Sequence, residues 1–261
     1  MTEQTGLAIL HWFWTAFFAG FGVYLLLRPD CMMRTSCRVL RLRDGADRPR
    51  VDAAVERRRA VEHISNATGY GAAAFCFVMS AITAVTHVST GLLYAIFCLG
   101  LALTMTALYL QLRNSQPTRI AVLNARTPAS VIPVWAFLAA GVSAVCCLLL
   151  AAMPHLRVSA LVVFASTAVT VFAAWRLTSL PAILQGVDVP VETALDQRLR
   201  FHRSAGVFVM GIVQPFVFAS QSLDDRFPAV WIAYFVTLIP FFAFAVWVGR
   251  RMVAKVSFAQ Q

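Results

Sequence analysis

Seven long stretches of this 261-residue chain contain no aspartate, glutamate, lysine or arginine. A helix of about 20 apolar residues crosses the ~30 Å hydrocarbon layer of a membrane. A soluble helix of that length would carry a polar face, and these stretches show little such periodicity. We therefore predict an all-α, polytopic integral membrane protein. Its seven predicted transmembrane helices cover residues 7–27, 66–87, 89–110, 132–153, 158–175, 205–222 and 228–248.

The positions of the basic residues predict the orientation of these helices. Loops on the inner side of a membrane carry an excess of lysine and arginine. With the N-terminus outside, the inner segments are 28–65, 111–131, 176–204 and 249–261, and they hold twenty of the 22 basic residues. We therefore predict an N-out, C-in arrangement, with the first stretch kept as a membrane helix because the start MTEQTG lacks the basic residues of a signal peptide.

The formal net charge of +10 has the same origin, so it does not predict a nucleic-acid partner. A composition of 59% hydrophobic and 13% charged residues agrees with an integral membrane location. The sequence does not distinguish a bacterial plasma membrane from an organellar inner membrane.

Two inner segments resemble each other. Residues 49–65 read PRVDAAVERRRAVEHIS and residues 190–204 read PVETALDQRLRFHRS, so that Val51 aligns with Val191, Arg58 with Arg198 and His63 with His202 when gaps are allowed. Each segment leads into a predicted membrane hairpin. This pattern predicts a duplication within one transmembrane domain, with a unit at 7–113, a linker helix at 132–153 and a second unit at 158–251.

Both segments also have apolar residues near helical spacing, which predicts a short amphipathic helix on the inner surface before the second and sixth membrane helices. Long arginine side chains of such helices reach lipid headgroups. We expect anionic lipids as partners, and the predicted headgroup contacts are Arg57, Arg58, Arg59, Arg198 and Arg200.

Histidines and carboxylates end these segments, where the chain enters the membrane. Glu62, His63, Asp196 and His202 are predicted to form an inner polar layer. One reading is a capping layer; another is a response to pH, because histidine titrates near neutral pH. A third is a b-type haem between His63 and His202, since histidines on two helices can ligate haem. No other cofactor and no metal site is predicted.

Uncharged polar residues within the predicted membrane helices are the candidates for a ligand or a pore. Gln214 and Pro215 stand out, because a proline releases a backbone carbonyl that a ligand or a neighbouring helix must satisfy. A helix kink with hydrogen bonds between helices is the competing interpretation. The candidate residues are Asn66, Tyr70, Gln214, Pro215 and Gln221.

Three functions remain open on the sequence. The chain contains no nucleotide-binding or zinc-protease motif and no carboxylate at membrane depth, so no catalytic residue is predicted and an ion-coupled pump is disfavoured.

The first expectation is a non-catalytic accessory or structural subunit of a larger membrane complex, with other membrane subunits as partners. The second is a facilitator or channel for a small neutral solute. The layout is similar to that of small sugar facilitators, although their Pro-Gln motifs are absent and Gln214-Pro215 has the reverse order. The third is a haem-bearing electron carrier.

Overall fold

The computed structural model describes residues 3–28, 36, 38, 47–61, 63–85, 90–114, 131–179, 187–222 and 228–253. These residues form eight α-helices and no β-strand, which confirms the predicted all-α class. The helices are α1 (Glu3–Leu27), α2 (Arg48–Val61), α3 (His63–Val85), α4 (Thr90–Asn114), α5 (Val134–Leu150), α6 (Arg157–Ser179), α7 (Val189–Gln221) and α8 (Pro228–Val253).

Three of these helices are long and apolar enough to cross a membrane. They are Arg157–Ser179, Val189–Ser220 and Ala229–Arg251. Among the described residues, shorter apolar stretches lie within the other long helices, at 15–27, 69–85, 92–104 and 134–150. These helices indicate membrane association, whereas the count of seven spans and the orientation stay predictions.

Helix α7 differs from its predicted form. The sequence predicted a separate surface helix before the sixth span, but residues Val189 to Gln221 form one helix of 33 residues. Asp188 begins it, because its side chain accepts a hydrogen bond from the backbone N–H of Val191 and leaves one fewer unsatisfied donor. Pro190 suits the first turn and no proline interrupts the following residues until Pro215. In the first half, α2 and the start of α3 occupy the corresponding segment, and Glu62 between them lies outside the described residues.

The helices pack around two main apolar clusters. One joins α1, α3 and α4 and includes the buried rings of Phe18 and Phe97, which lie 4.9 Å apart. The other joins α4 to α8 and centres on Phe208 and Phe244, whose rings are 4.6 Å apart. Helices α4, α6 and α7 contact one another, while α5 covers α6, α7 and α8. Helix α7 therefore lies at the centre of the bundle.

Candidate functional site

Charged residues of α2 and of the start of α7 form a set of ion pairs that we name the ion-pair clamp. It comprises Arg50, Arg57 and Arg58 from α2 with Asp188, Glu192, Asp196 and Arg200 from the start of α7. Asp188, Glu192 and Asp196 recur every four residues and so lie on one face of α7. The residue numbers of the three pairs increase together along α2 and α7. The two helices therefore lie side by side and run in the same direction.

The outer pair of the clamp joins Arg50 and Asp188. Nε and Nη2 of Arg50 donate to Oδ2 and Oδ1 of Asp188 at 2.7 and 2.9 Å, a bidentate arrangement. This hydrogen bonding lowers the pKa of the Asp188 carboxyl, and partial desolvation opposes the effect. The same carboxylate caps α7, so it links the beginning of α7 to α2.

The inner part of the clamp is buried. Asp196 is 1% exposed and Arg58 is 6% exposed. Arg58 donates from Nη1 and Nη2 to Oδ1 of Asp196 at 3.3 and 3.2 Å, and Arg200 donates from Nη2 to Oδ2 at 2.9 Å. Each carboxylate oxygen therefore has a guanidinium donor. Such complete pairing is what allows a buried carboxylate to stay charged.

Arg200 connects the clamp to a third helix. Its Nη1 donates to the backbone carbonyl of Thr178 at 3.4 Å, in the last turn of α6. The last carbonyls of a helix lack partners within that helix and are stabilised by a nearby cation. One arginine thus serves both as a partner of Asp196 and as a cap for α6.

An apolar layer accompanies the ion pairs. It consists of Val51, Ala54, Val55, Val191, Ala194, Leu195 and Leu199, none of them more than 7% exposed. The α2 members follow the spacing i, i+3, i+4, and the α7 members repeat it. This apolar spacing was recognised in the sequence, but the structure turns the two apolar stripes toward each other. Packing α2 against α7 removes both stripes from solvent.

A second polar region, which we name the polar seam, lies between α6 and α7 farther along the helices. It comprises Ser166, Thr167 and Thr170 of α6 with Gln214 of α7, all of them at most 2% exposed. Ser166 Oγ donates to the carbonyl of Ala95 on α4 at 3.0 Å, and Thr170 Oγ1 donates to the carbonyl of Ser166 at 2.7 Å. The seam therefore joins three helices through uncharged groups.

Gln214 completes the seam from α7. Its Nε2 donates to Thr170 Oγ1 at 3.3 Å and to the carbonyl of Met210 at 3.1 Å. Two acceptors around one amide atom assign that atom as the nitrogen. Pro215 follows and has no N–H, so the carbonyl of Gly211 lacks its usual helical donor.

The structure brings several predicted site residues together. Arg57, Arg58, Asp196 and Arg200 all belong to the ion-pair clamp, and Arg198 is buried beside it at 5% exposure. The guanidinium groups of Arg57, Arg58 and Arg200 have protein carboxylates as partners. Contact with lipid headgroups stays a prediction for these arginines and for Arg59, whose side chain lies outside the described residues.

The predicted histidine pair is described on one side only. Nδ1 of His202 lies 2.8 Å from Oγ of Ser36, a hydrogen bond whose direction depends on the histidine tautomer. Glu62 and the side chain of His63 lie outside the described residues. Among the described residues no group of three or more histidine, cysteine, aspartate or glutamate side chains could hold a metal ion. Because the side chain of His63 is not described, the haem site stays a prediction.

Three of the five ligand or pore candidates have described side chains, and two do not. Gln214 and Pro215 are buried in α7, and Tyr70 is half exposed on α3. The side chains of Asn66 and Gln221 lie outside the described residues. Only Gln214, of these five, has described hydrogen bonds to a neighbouring helix.

Sequence reasoning missed Arg50, Asp188 and Glu192 as site residues. Their signal was present, because carboxylates at 188, 192 and 196 form a stripe and arginines at 50, 57 and 58 lie on the resembling segment. The spatial partners are 138, 135 and 138 residues apart, close to the separation of 140 at which Val51 aligns with Val191. A comparison of charge along that alignment would have suggested the pairs.

Neither a protein-family model, nor a curated protein, nor a solved structure matches this chain.

Proposed function

We propose that this chain is a non-catalytic integral membrane protein that serves as an accessory, structural subunit of a larger membrane complex. The proposal includes seven spans, an N-out and C-in orientation, and two parallel three-span units joined by a linker helix. Support for the paired units comes from the ion-pair clamp, in which each segment contacts its counterpart at nearly the spacing of the sequence resemblance. Interfaces between related units commonly use the same patch on both.

The observation that carries the proposal is the use of the buried charges. The described carboxylate Asp196 is held by Arg58 and Arg200, and Glu192 is held by Arg57. A catalytic or proton-relay carboxylate needs access to a substrate or a proton path, whereas these groups contact the arginines that join α2 to α7. Their arrangement favours a structural role.

The outer face of α1 supports a role in assembly. Phe13, Phe17, Phe21 and Tyr24 form a ladder with successive ring centroids 6.4, 6.0 and 6.2 Å apart. Phe13, Phe17 and Tyr24 are 57, 41 and 48% exposed, and α1 packs mainly against α3. A rigid aromatic surface of this kind suits contact with a partner helix.

Co-purification tests the proposal. The tagged chain is extracted from its native membrane with a mild detergent, and stoichiometric partner chains are expected in one native-gel band. The double variant Phe13→Ala/Phe17→Ala should release the partners. A matched control is Leu138→Ala/Leu149→Ala, which removes two exposed apolar side chains from α5. A chain that purifies alone and monodisperse from its native membrane contradicts the subunit proposal.

A facilitator for a small neutral solute is the second candidate, and the polar seam favours it. Gln214 and Thr170 place uncharged hydrogen-bonding groups in the interior of the bundle, as a neutral solute would require. Liposomes that contain only the purified protein should then pass small polyols or urea. Gln214→Leu should abolish that flux, and the exposed Thr104→Val substitution should leave it unchanged. Liposomes without flux exclude this candidate for the solutes tested.

Lipid contact is part of the proposal as well. The exposed arginines at the end of α8, Arg250 and Arg251, are better placed for anionic headgroups than the buried arginines of the clamp. The detergent-solubilised protein should bind added anionic lipid more weakly when both are replaced by glutamine.

A further inference from the structure

We propose that the polar seam contains a binding site for one internal water molecule, held between Thr167 of α6 and Gln214 of α7. The proposal concerns the interior of the bundle and does not depend on whether the chain is a subunit or a facilitator.

Two buried polar atoms carry the inference. Oε1 of Gln214 and Oγ1 of Thr167 are buried and have no hydrogen-bond partner among the described residues, and both side chains are 1% exposed. A buried polar atom without a partner costs on the order of 1–3 kcal/mol. In a helix, a threonine hydroxyl commonly donates to a carbonyl of the preceding turn, as Thr170 does to Ser166. The hydroxyl of Thr167, one turn before Thr170, has no such hydrogen bond among the described residues.

The register of α6 against α7 brings Thr167 and Gln214 to about the same level of the bundle. Arg200 contacts Thr178, and a Cβ on Gly211 would lie 2.9 Å from Cγ2 of Val171. As the residue number increases along α7, the number of its contact residue on α6 decreases. The two helices are therefore antiparallel. Continuing this register by three or four residues brings Gln214 level with Thr167. The amide nitrogen of Gln214 points back to Thr170, which leaves the oxygen for the part of the seam near Thr167.

The chemistry of the site fits water. Gln214 Oε1 accepts, Thr167 Oγ1 both donates and accepts, and the Gly211 carbonyl released by Pro215 is a further acceptor on the same stretch of α7. A water molecule that donates to the amide oxygen and to the carbonyl, and accepts from the threonine, makes the roughly three hydrogen bonds typical of internal water.

The sign of a stability change tests the proposal. Thr167→Val keeps the shape of the side chain and removes the hydroxyl. If the hydroxyl binds water, the melting temperature falls by about 2–4 °C, the shift expected for one hydrogen bond in a chain of this size. If the hydroxyl has no partner, its removal raises the melting temperature and overturns the proposal. Thr167→Ser keeps the hydroxyl and should lie nearer the parent chain than Thr167→Val.

Solid-state NMR separates bound water from a direct contact between the two side chains. The protein is reconstituted in lipid with labelled threonine and glutamine, and magnetisation is transferred from water protons. Early transfer to Thr167 and to the Gln214 amide is expected, with none to Thr83, a buried threonine that donates to its own helix. The Gln214 transfer should disappear in Thr167→Val. Transfer no stronger than that to Thr83 means a dry contact and contradicts the proposal.

Discussion

The ion-pair clamp and the polar seam hold the same helix by different chemistry. Near its beginning α7 is joined to α2 by guanidinium and carboxylate groups, and farther along it is joined to α6 by hydroxyl and amide groups. Arg200 and Gln214 are separated by 14 residues, or about 21 Å of helix. The ion pairs of the clamp lie outside the charge-free stretches of the sequence. The polar seam lies within them, where an ionised group would be costly, and its groups are neutral.

The two regions also differ in how the acceptor oxygens of their buried side chains are paired. Both oxygens of Asp196 accept hydrogen bonds from arginines. In the seam, by contrast, Oε1 of Gln214 has no partner among the described residues. Charged groups must be paired to remain buried, whereas a buried neutral amide can form its hydrogen bond with a small polar molecule inside the bundle. We therefore expect the clamp to be the stronger and more rigid connection.

The largest effect is expected from Asp196→Asn. The substitution keeps the size of the side chain but leaves Arg58 and Arg200 buried without their carboxylate, at a cost of about 3–5 kcal/mol in the free energy of unfolding. Unfolding in mixed detergent, followed by circular dichroism, measures the change. Glu56→Gln removes the same charge from an exposed position on α2 and should change stability by less than about 0.5 kcal/mol. Equal effects of the two variants would mean that the clamp is not stabilised by its buried pair.

Leu195→Ala tests the apolar layer of the clamp. Leu195 is 1% exposed, and removing most of its side chain leaves a cavity between α2 and α7. We expect a loss of about 2–4 kcal/mol in the same unfolding assay. Val189→Ala, at a position 45% exposed on the same helix, is the matched control and should have little effect. A small effect at Leu195 would show that α2 does not pack there.

Ser166→Ala measures the neutral connection. It removes the hydrogen bond from Ser166 to the carbonyl of Ala95 and should cost about 1 kcal/mol, less than either clamp variant. Ser179→Ala removes a hydroxyl from the exposed end of α6 and provides the comparison. A seam variant more damaging than Asp196→Asn would reverse the proposed order of the two regions.

The smallest effect is expected from Asp188→Asn, which removes only the outer ion pair of the clamp. Asp188→Asn keeps an N-cap acceptor and loses the ion pair with Arg50, while Asp188→Ala loses both and should cost about 1 kcal/mol for the cap. The pKa of Asp188 is lowered by Arg50, so the unfolded chain binds its proton more readily. The stability from this pair is present above the unfolded pKa, which is near 4, and is lost as the pH falls through the folded pKa.

Acid titration of the unfolding free energy measures this contribution. The parent chain should lose slightly more stability than Asp188→Asn when the pH is lowered below about 4. Identical titrations of the two proteins would show that Arg50 and Asp188 are not paired in solution.

The helices themselves follow from the sequence more closely than their contacts do. Charge-free stretches predicted helices at the places where α1, α3, α4, α5, α6 and α8 lie, because an apolar run sets local structure directly. Pro215 and Gln214 were recognised as unusual for the same local reason. The continuity of α7 through residues that were predicted to form two helices depends on tertiary packing.

The clamp could not be read from local pattern alone. The stripes containing Val51 and Val191 were correctly seen as amphipathic, but an apolar stripe can face a membrane surface or another helix equally well. The structure pairs the stripes, and the arginines then meet carboxylates about 138 residues away. Contacts between residues so far apart in the sequence depend on how the helices pack together, and the periodicity of a segment carries no information about that packing.

A double-mutant cycle between Arg58 and Asp196 tests the central claim, that this buried pair joins α2 to α7. The unfolding free energies of the parent chain, Arg58→Ala, Asp196→Ala and the double variant are compared in lipid-detergent mixtures. We predict that the double variant loses at least about 2 kcal/mol less than the sum of the single losses, because each single variant strands a buried charge. Losses that add to within about 0.5 kcal/mol would contradict the clamp.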